Sequence, residues 1–158
     1  MIKAIMAMDE EWGIGKNGTL PWPANKEDLK QFKEKTTGHL VVMGSNTWND
    51  PCFPAPLKNR TNYIVTSKTE GFDGGIILPV GWKREVIRMS KNTQKDVWII
   101  GGKRLIEACW DIIEEFHLTV VNGVYDCDVF LKFPWEDFSL TSAEVTDRNV
   151  YYTYRRAV

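Results

Sequence analysis

The sequence predicts an α/β fold: a mostly parallel central sheet with helices on both faces, closed by an antiparallel hairpin at the C-terminus. Three observations predict it. Apolar runs of strand length recur along the chain, segments of helical periodicity lie between them, and the last two alternating runs flank a turn-rich tetrad.

The strand-length runs are residues 2–8, 40–43, 63–65, 75–78, 97–100 and 118–121. The helical segments are 25–35, with Leu29 and Phe32 three apart on one face, and 82–90, with Trp82, Val86 and Met89 similarly spaced. A third, 103–115, carries Leu105, Ile106, Cys109, Ile112 and Ile113 on a broad apolar stripe. Residues 138–145 and 150–156 alternate around Thr146-Asp147-Arg148-Asn149, and this hairpin makes the sheet mixed. Sheets of this kind bind ligands beyond the carboxyl ends of their strands, so the residues after each strand are the ones to read.

Bulk properties narrow the function. A net charge of −1 with no basic block gives no reason to expect nucleic acid or an acidic membrane as partner. Cys52, Cys109 and Cys127 are odd in number and far apart, which fits a reducing compartment and neither a disulfide framework nor a zinc ribbon. The apolar N-terminus stops at Asp9-Glu10-Glu11, too short to span a bilayer and with no cleavage site after it. No repeat, linker or low-complexity tract interrupts residues 1–158, so one soluble, cytoplasmic, monomeric domain is expected.

Three strand ends have the composition of phosphate sites. After 40–43 comes Gly44-Ser45-Asn46-Thr47-Trp48. Ser45, Asn46 or Thr47 can cap a helix there, while free amides at a helix start also suit a phosphate, and residue type alone does not choose between them. After 97–100 comes Gly101-Gly102-Lys103-Arg104, where glycines admit a close backbone approach and cations complement charge; the spacing is not G-x-G-x-x-G. After 63–65 comes Thr66-Ser67-Lys68, two hydroxyls and a cation fit for a phosphate monoester. Each has a bland reading as an ordinary loop; together they favour an extended, multiply phosphorylated cofactor.

The segment 12–23 holds three glycines and two prolines, which exclude regular structure, yet Trp12, Ile14, Leu20 and Trp22 are bulky and apolar. With Gly13 and Gly18 as hinges it reads as a lid. Asp28 follows, early in a helix beside Leu29 and Phe32. It is either a capping-box acid behind Asn25 or a lone carboxylate facing the lid and binding a cationic or amidine-like ring. His39 and His117 sit at strand entrances and read as structural or exposed. No nucleophile triad and no metal-ligand spacing stands out, so no metal is expected and the chemistry falls to the cofactor, with hydride transfer the natural candidate.

These residues, taken in order, resemble a known family. Ile14-Gly15, Leu20-Pro21-Trp22, Asp28-Leu29 and Phe32 resemble the substrate segment of dihydrofolate reductases. Val42-Met43-Gly44 with Thr47-Trp48, Arg60 ahead of the third strand, Ile99-Ile100-Gly101-Gly102, and Leu118-Thr119 with Phe133-Pro134 continue the match over essentially the whole chain. The resemblance implies an eight-stranded mixed sheet and reduction of 7,8-dihydrofolate to tetrahydrofolate by hydride from NADPH, in support of one-carbon metabolism and thymidylate synthesis. It implies that Ala7, Ile14, Gly15, Leu20, Ile100 and Ile106 border the nicotinamide. Gly44, Ser45, Asn46, Thr47, Gly101, Gly102, Lys103, Arg104 and Leu105 would hold the phosphates, and Thr66, Ser67 and Lys68 the adenosine end. Asp28, supported by Thr119, would bind the pterin; Ile5, Met6, Ala7, Leu29 and Phe32 would line it; Arg60 would take the glutamate α-carboxylate.

The sequence departs from the family pattern at Ser45, where many members are basic, and at Ile106, where an aromatic is usual. Residues 49–58 are too irregular to say whether Cys52, Phe53 or Leu57 meets the benzoyl ring. Two other readings compete: a reductase of a riboflavin-pathway pyrimidine on the same scaffold, which needs neither Asp28 nor Arg60, and a noncatalytic nucleotide- or protein-binding module.

Overall fold

Strands form almost wherever the apolar runs lie. In the computed structural model, which describes residues 1–16, 21–132 and 134–157, the chain runs β1 (Ile2–Met8), β2 (Gly13–Gly15), α1 (Lys26–Thr36), β3 (Leu40–Gly44), α2 (Ser45–Trp48), β4 (Thr61–Val65) and β5 (Ile76–Leu78). It continues through α3 (Trp82–Lys91), β6 (Val97–Gly101), α4 (Lys103–Ala108), β7 (Glu115–Val121), β8 (Val129–Phe130), a 3₁₀ turn at Trp135–Asp137, β9 (Phe138–Val145) and β10 (Asn149–Arg156).

Eight strands form one sheet in the order β5-β4-β3-β6-β1-β7-β10-β9. The first six are parallel, and β10 runs antiparallel to both β7 and β9. The mixed, mostly parallel sheet with its closing hairpin is therefore as expected. Ile2, Ala4, Met8, Val42, Val97, Ile99, Phe116 and Leu118 pack with Val86 and Met89 of α3 and Leu105 and Ile106 of α4. A second cluster, Ile5, Val41, Met43, Leu57, Ile64, Phe72 and Trp98, has Phe32 of α1 and Trp48 of α2 against it. Alternation along each strand feeds one face and then the other, which is why near-continuous apolar runs are needed here.

Four local expectations are corrected. The helix expected over 103–115 ends at Ala108, with Cys109 as its C-cap. Ile112 and Ile113 donate back to Cys109 O, and Glu114 N reaches Ile2 O at 2.8 Å, drawing the chain onto β1. Leu105, Ile106, Cys109 and Ile113 are buried all the same and Ile112 is half-buried, because a short helix and a tight turn bury much the same spacing. No side chain among Ser45, Asn46 and Thr47 caps α2; the N-cap is Gly44, without a side-chain hydrogen bond. The glycine-rich segment is not wholly irregular, since Gly13–Gly15 pairs antiparallel with β8. His117 lies inside β7, not at its entrance, because the strand starts at Glu115, three residues before the apolar run.

Candidate active site

The three glycine- and hydroxyl-bearing strand ends are neighbours in space. Strand order places β4, β3 and β6 side by side and parallel, so Thr66, Gly44 and Gly101 follow one another along one rim. Met43 is level with Gly101, whose φ of +124° suits glycine. A β-carbon there would lie 3.4 Å from Met6 Cε and 3.6 Å from Thr47 Oγ1. The Gly101–Gly102 peptide is cis. Thr47 is thus drawn to the glycine pair, while Asn46, Arg104, Ser67 and Lys68 are exposed on the same rim.

Beside that rim stands Asp28. Asn25 caps α1 by accepting Asp28 N–H at 3.1 Å, so the capping reading holds for the backbone. The side chain does something else: Asp28 Oδ1 accepts the hydroxyl of Thr119, a buried β7 residue, at 2.8 Å. Among the described residues its other oxygen accepts no hydrogen bond. Burial pushes the carboxyl above its ordinary value; the Thr119 bond and the Lys35 charge oppose that rise, and Glu27 adds to it. Thr119 is level with Ala7 of β1, and Ile5 with His117, so Asp28, Thr119, Ala7 and Ile5 form one corner between helix and sheet.

Arg60 closes the far end of α1. Its Nη1 donates to Thr36 Oγ1 at 3.0 Å, its Nε to Lys58 O at 2.9 Å, and its guanidinium stands 5.9 Å from the Phe32 ring. Leu57 and Phe53 join Phe32 and Ile5 in one cluster, whereas Cys52 is exposed. This separates the candidates in 49–58: two pack in the cluster that holds Phe32 and Ile5, and one does not.

The segment after β1 is anchored by Asp9, which in the sequence marks only the end of the apolar N-terminus. Asp9 is buried, and its carboxylate accepts Gly13 N (2.8 Å), Glu11 N (2.9 Å), Tyr125 N (3.1 Å) and Cys127 Sγ (3.3 Å). Burial alone would raise this carboxyl, but the four donors hold it below the usual range. One acid therefore ties the 9–15 segment to the 122–128 loop. Trp22 is buried edge-on against Tyr125, with ring centroids 6.3 Å apart. Gly18 and Leu20 lie outside the described residues.

The sequence model of the family described as "Dihydrofolate reductase" matches residues 1–157. The chain belongs to the dihydrofolate reductase family. A dihydrofolate reductase of Ureaplasma parvum is 32% identical over 158 residues, covering 99% of each chain. That of Staphylococcus aureus is 30% identical over 146 residues, covering 90% of this chain and 85% of its own. A solved dihydrofolate reductase from Enterococcus faecalis, in complex with NADP(H) and RAB-propyl, superposes with a TM-score of 0.87 at 28% identity, covering 99% of this chain and 96% of that one.

As a member of the dihydrofolate reductase family the chain is an NADPH-dependent oxidoreductase acting on dihydrofolate, in agreement with the motif reading. Among the described residues no cluster of His, Cys, Asp or Glu could hold a metal, and no helix is long and apolar enough to cross a membrane. The structure brings Asp28, Thr119, Ala7, Ile5 and Phe32 together, and sets Gly44, Thr47, Gly101 and Gly102 together on the rim. Leu29 is 57% exposed, whereas Leu105 and Ile106 are core residues, 6% and 0% exposed, beneath the rim. Met6 packs with the opposite face of the sheet from Ile5, its methyl toward Gly101. Sequence reading missed Asp9, Thr36 and the polar pair Glu115 and His117 that precedes Thr119 in alternation on β7. The last had a legible signal: period-two polarity inside an otherwise apolar strand.

Proposed function

We propose that the corner between α1, β1, β7 and the flap holds the pterin of 7,8-dihydrofolate, and that NADPH crosses the rim from the flap to the end of β4. The observation that carries this reading is the Thr119–Asp28 bond at 2.8 Å. It orients the carboxylate and leaves Oδ2 and the second lone pair of Oδ1 for the amino and ring N–H groups of an aminopyrimidine edge, one donor on each oxygen, a paired recognition that suits a carboxylate. A buried carboxyl so placed orients the ring and, when ionised, favours a proton on pterin N5; that proton comes from water and need not pass through Asp28.

The rim residues fit the dinucleotide. Bare backbone at Gly101 and Gly102 beside the Thr47 hydroxyl, with Gly44, Ser45, Asn46, Lys103 and Arg104 adjoining, would hold the diphosphate. Thr66, Ser67 and Lys68 would meet the adenosine phosphate, and Ala7, Ile14, Gly15 and Ile100 the nicotinamide, with Leu105 and Ile106 supporting from below. Bound there, NADPH supplies the hydride. The chain does the rest: Phe32, Leu29 and Ile5 enclose the ring system, Arg60 pairs with the glutamate α-carboxylate, and the Asp9-anchored flap with Trp12, Gly13 and Trp22 restricts water.

Following NADPH absorbance with dihydrofolate tests the reading directly. Oxidation that depends on dihydrofolate is expected. Oxidation only with a pyrimidine sugar, or none at all, would overturn it.

A further inference from the structure

The two faces of the sheet carry different residues. Thr119, His117 and Tyr151 point to the side of α1, where they meet Asp28, Lys35 and Glu27. By alternation Met8, Leu118, Val120 and Tyr152 point to the other side, in the cluster that packs against α3 and α4. Met8 is level with Val120, and Leu118 with Tyr152. On this second face lies a cavity of about 200 Å³, with Met8, Leu118 and Val120 as its aliphatic floor.

The walls of the cavity are aromatic and acidic. Tyr152 and Tyr154 of β10 line it, their ring centroids 6.0 Å apart and their planes inclined at 39°. Trp12 adds an indole from the turn after β1. Its φ of +71° is one that a bulky side chain rarely adopts, and the backbone holds it there: Trp12 N–H donates to Asp9 O at 3.2 Å, and Leu131 N–H donates to Trp12 O at 3.1 Å. Asp9 and Glu10 complete the lining, and among the described residues that line it there is no lysine, arginine or histidine. The Asp9 carboxylate has about four acceptor positions, and Glu11 N, Gly13 N, Tyr125 N and Cys127 Sγ already fill them. It therefore offers the cavity negative charge without free lone pairs.

We propose that this cavity is a second ligand site, one for a small soluble quaternary ammonium compound. Aromatic faces attract a cation through the ring quadrupole, and the two carboxylates add charge of the matching sign. The aliphatic floor suits N-methyl groups. A primary ammonium or a guanidinium would bring N–H donors into a place where the acceptors of Asp9 are taken, and each unmade hydrogen bond would count against it. A trimethylammonium head has no donor to satisfy. The site shares Trp12 with the flap and no residue with the pterin corner or the rim, so the inference does not rest on the reading of Asp28.

The test is an NMR titration of the full chain with tetramethylammonium chloride at constant ionic strength, followed at the Trp12 indole N–H. A saturable shift is expected, with neopentyl alcohol, a neutral probe of similar shape, binding about 10-fold more weakly. Tyr152→Leu removes a ring face and should weaken the cation by about 10-fold, whereas Tyr152→Phe keeps the face and should retain it. If Tyr152→Leu does not fold, Glu10→Gln, at an exposed position, should weaken the cation and leave the alcohol unchanged. Equal affinity for cation and alcohol would reduce the site to a plain apolar cavity and overturn the proposal. So would an unmoved Trp12 signal, a folded Tyr152→Leu with unchanged affinity, or shifts confined to Ala7 and Thr119 in the pterin corner. Sedimentation with phosphatidylcholine vesicles, without any response to the free ion, would point to a membrane surface and overturn it as well.

Discussion

Asn25 and Asn149 face each other through their side-chain amides, Asn25 Nδ2 donating to Asn149 Oδ1 at 2.6 Å and Asn149 Nδ2 donating back to Asn25 Oδ1 at 3.1 Å. Both are buried, and the pair joins the N-cap of α1 to the first residue of β10. The same Asn25 oxygen accepts Asp28 N–H, and Asn149 Nδ2 also reaches Tyr151 Oη at 2.9 Å. The C-terminal hairpin therefore sets the position of the helix end that carries Asp28. Asn149→Leu leaves a buried amide unpaired and is expected to cost about 2 kcal/mol, read from the urea midpoint. Its KM for dihydrofolate should rise, because the cap that places Asp28 loosens.

Asp28→Asn should fold, bind NADPH normally and lose about 100-fold or more in turnover at neutral pH, measured by single-turnover hydride transfer. Burial raises the folded Asp28 carboxyl above its ordinary 3.8, so its contribution to stability is present at low pH and is lost as pH rises through the raised value. The asparagine variant escapes that loss, and its stability at neutral pH should equal or exceed that of the parent. Near-parental turnover would return Asp28 to a capping role.

Arg60→Leu should weaken dihydrofolate binding by about 100-fold through loss of charge-assisted hydrogen bonds, with NADPH affinity unchanged, as titration calorimetry would show. A raised NADPH Kd with unchanged folate affinity would show that Arg60 serves the cofactor.

Gly13 lies against Cys127 so closely that a β-carbon would overlap the cysteine Cβ and Sγ. Gly13→Ala should therefore push the flap from the 122–128 loop and loosen the donors around Asp9, slowing hydride transfer more than it lowers thermal stability. Adding Cys127→Gly removes the overlapping atoms and should recover much of the rate. No recovery would mean that the glycine matters for its backbone and not for its neighbour.

Stability should fall as the Glu115–His117 pair is acidified. Burial first, then the Lys35 charge, lower His117 to about 4 from an ordinary 6.5. The folded state thus binds fewer protons than the unfolded one, and on the order of 3 kcal/mol is lost as pH drops through that interval. Glu115, which burial alone would raise, is held at about 2 against an ordinary 4.5 by Arg155, His117 and Lys3, extending the loss to lower pH. Urea midpoints between pH 7 and pH 3 should be flatter in His117→Phe than in the parent.

The sheet, its hairpin and most strand bounds could be read from the chain, because burying both faces of parallel strands demands the continuous apolar runs at 2–8, 40–43 and 97–100. The phosphate-like strand ends were legible because glycine, hydroxyl and charge are local chemical signals, whereas Arg60 and the binding role of the α1 acid came only from the family resemblance. What stayed hidden was most of the long-range pairing. Nothing local to Asp28 marks Thr119 as its partner, which only the family resemblance named, and nothing local to Asn25 marks Asn149. His117 read as a bland edge residue because the lysine and the glutamate that hold it become its neighbours only when α1 lies across β7. The residues and their local periods thus determined the fold class and the chemistry available. Only the tertiary packing decided which polar groups are buried together, and burial is what turns an ordinary carboxylate or imidazole into one with a shifted pKa and a fixed partner.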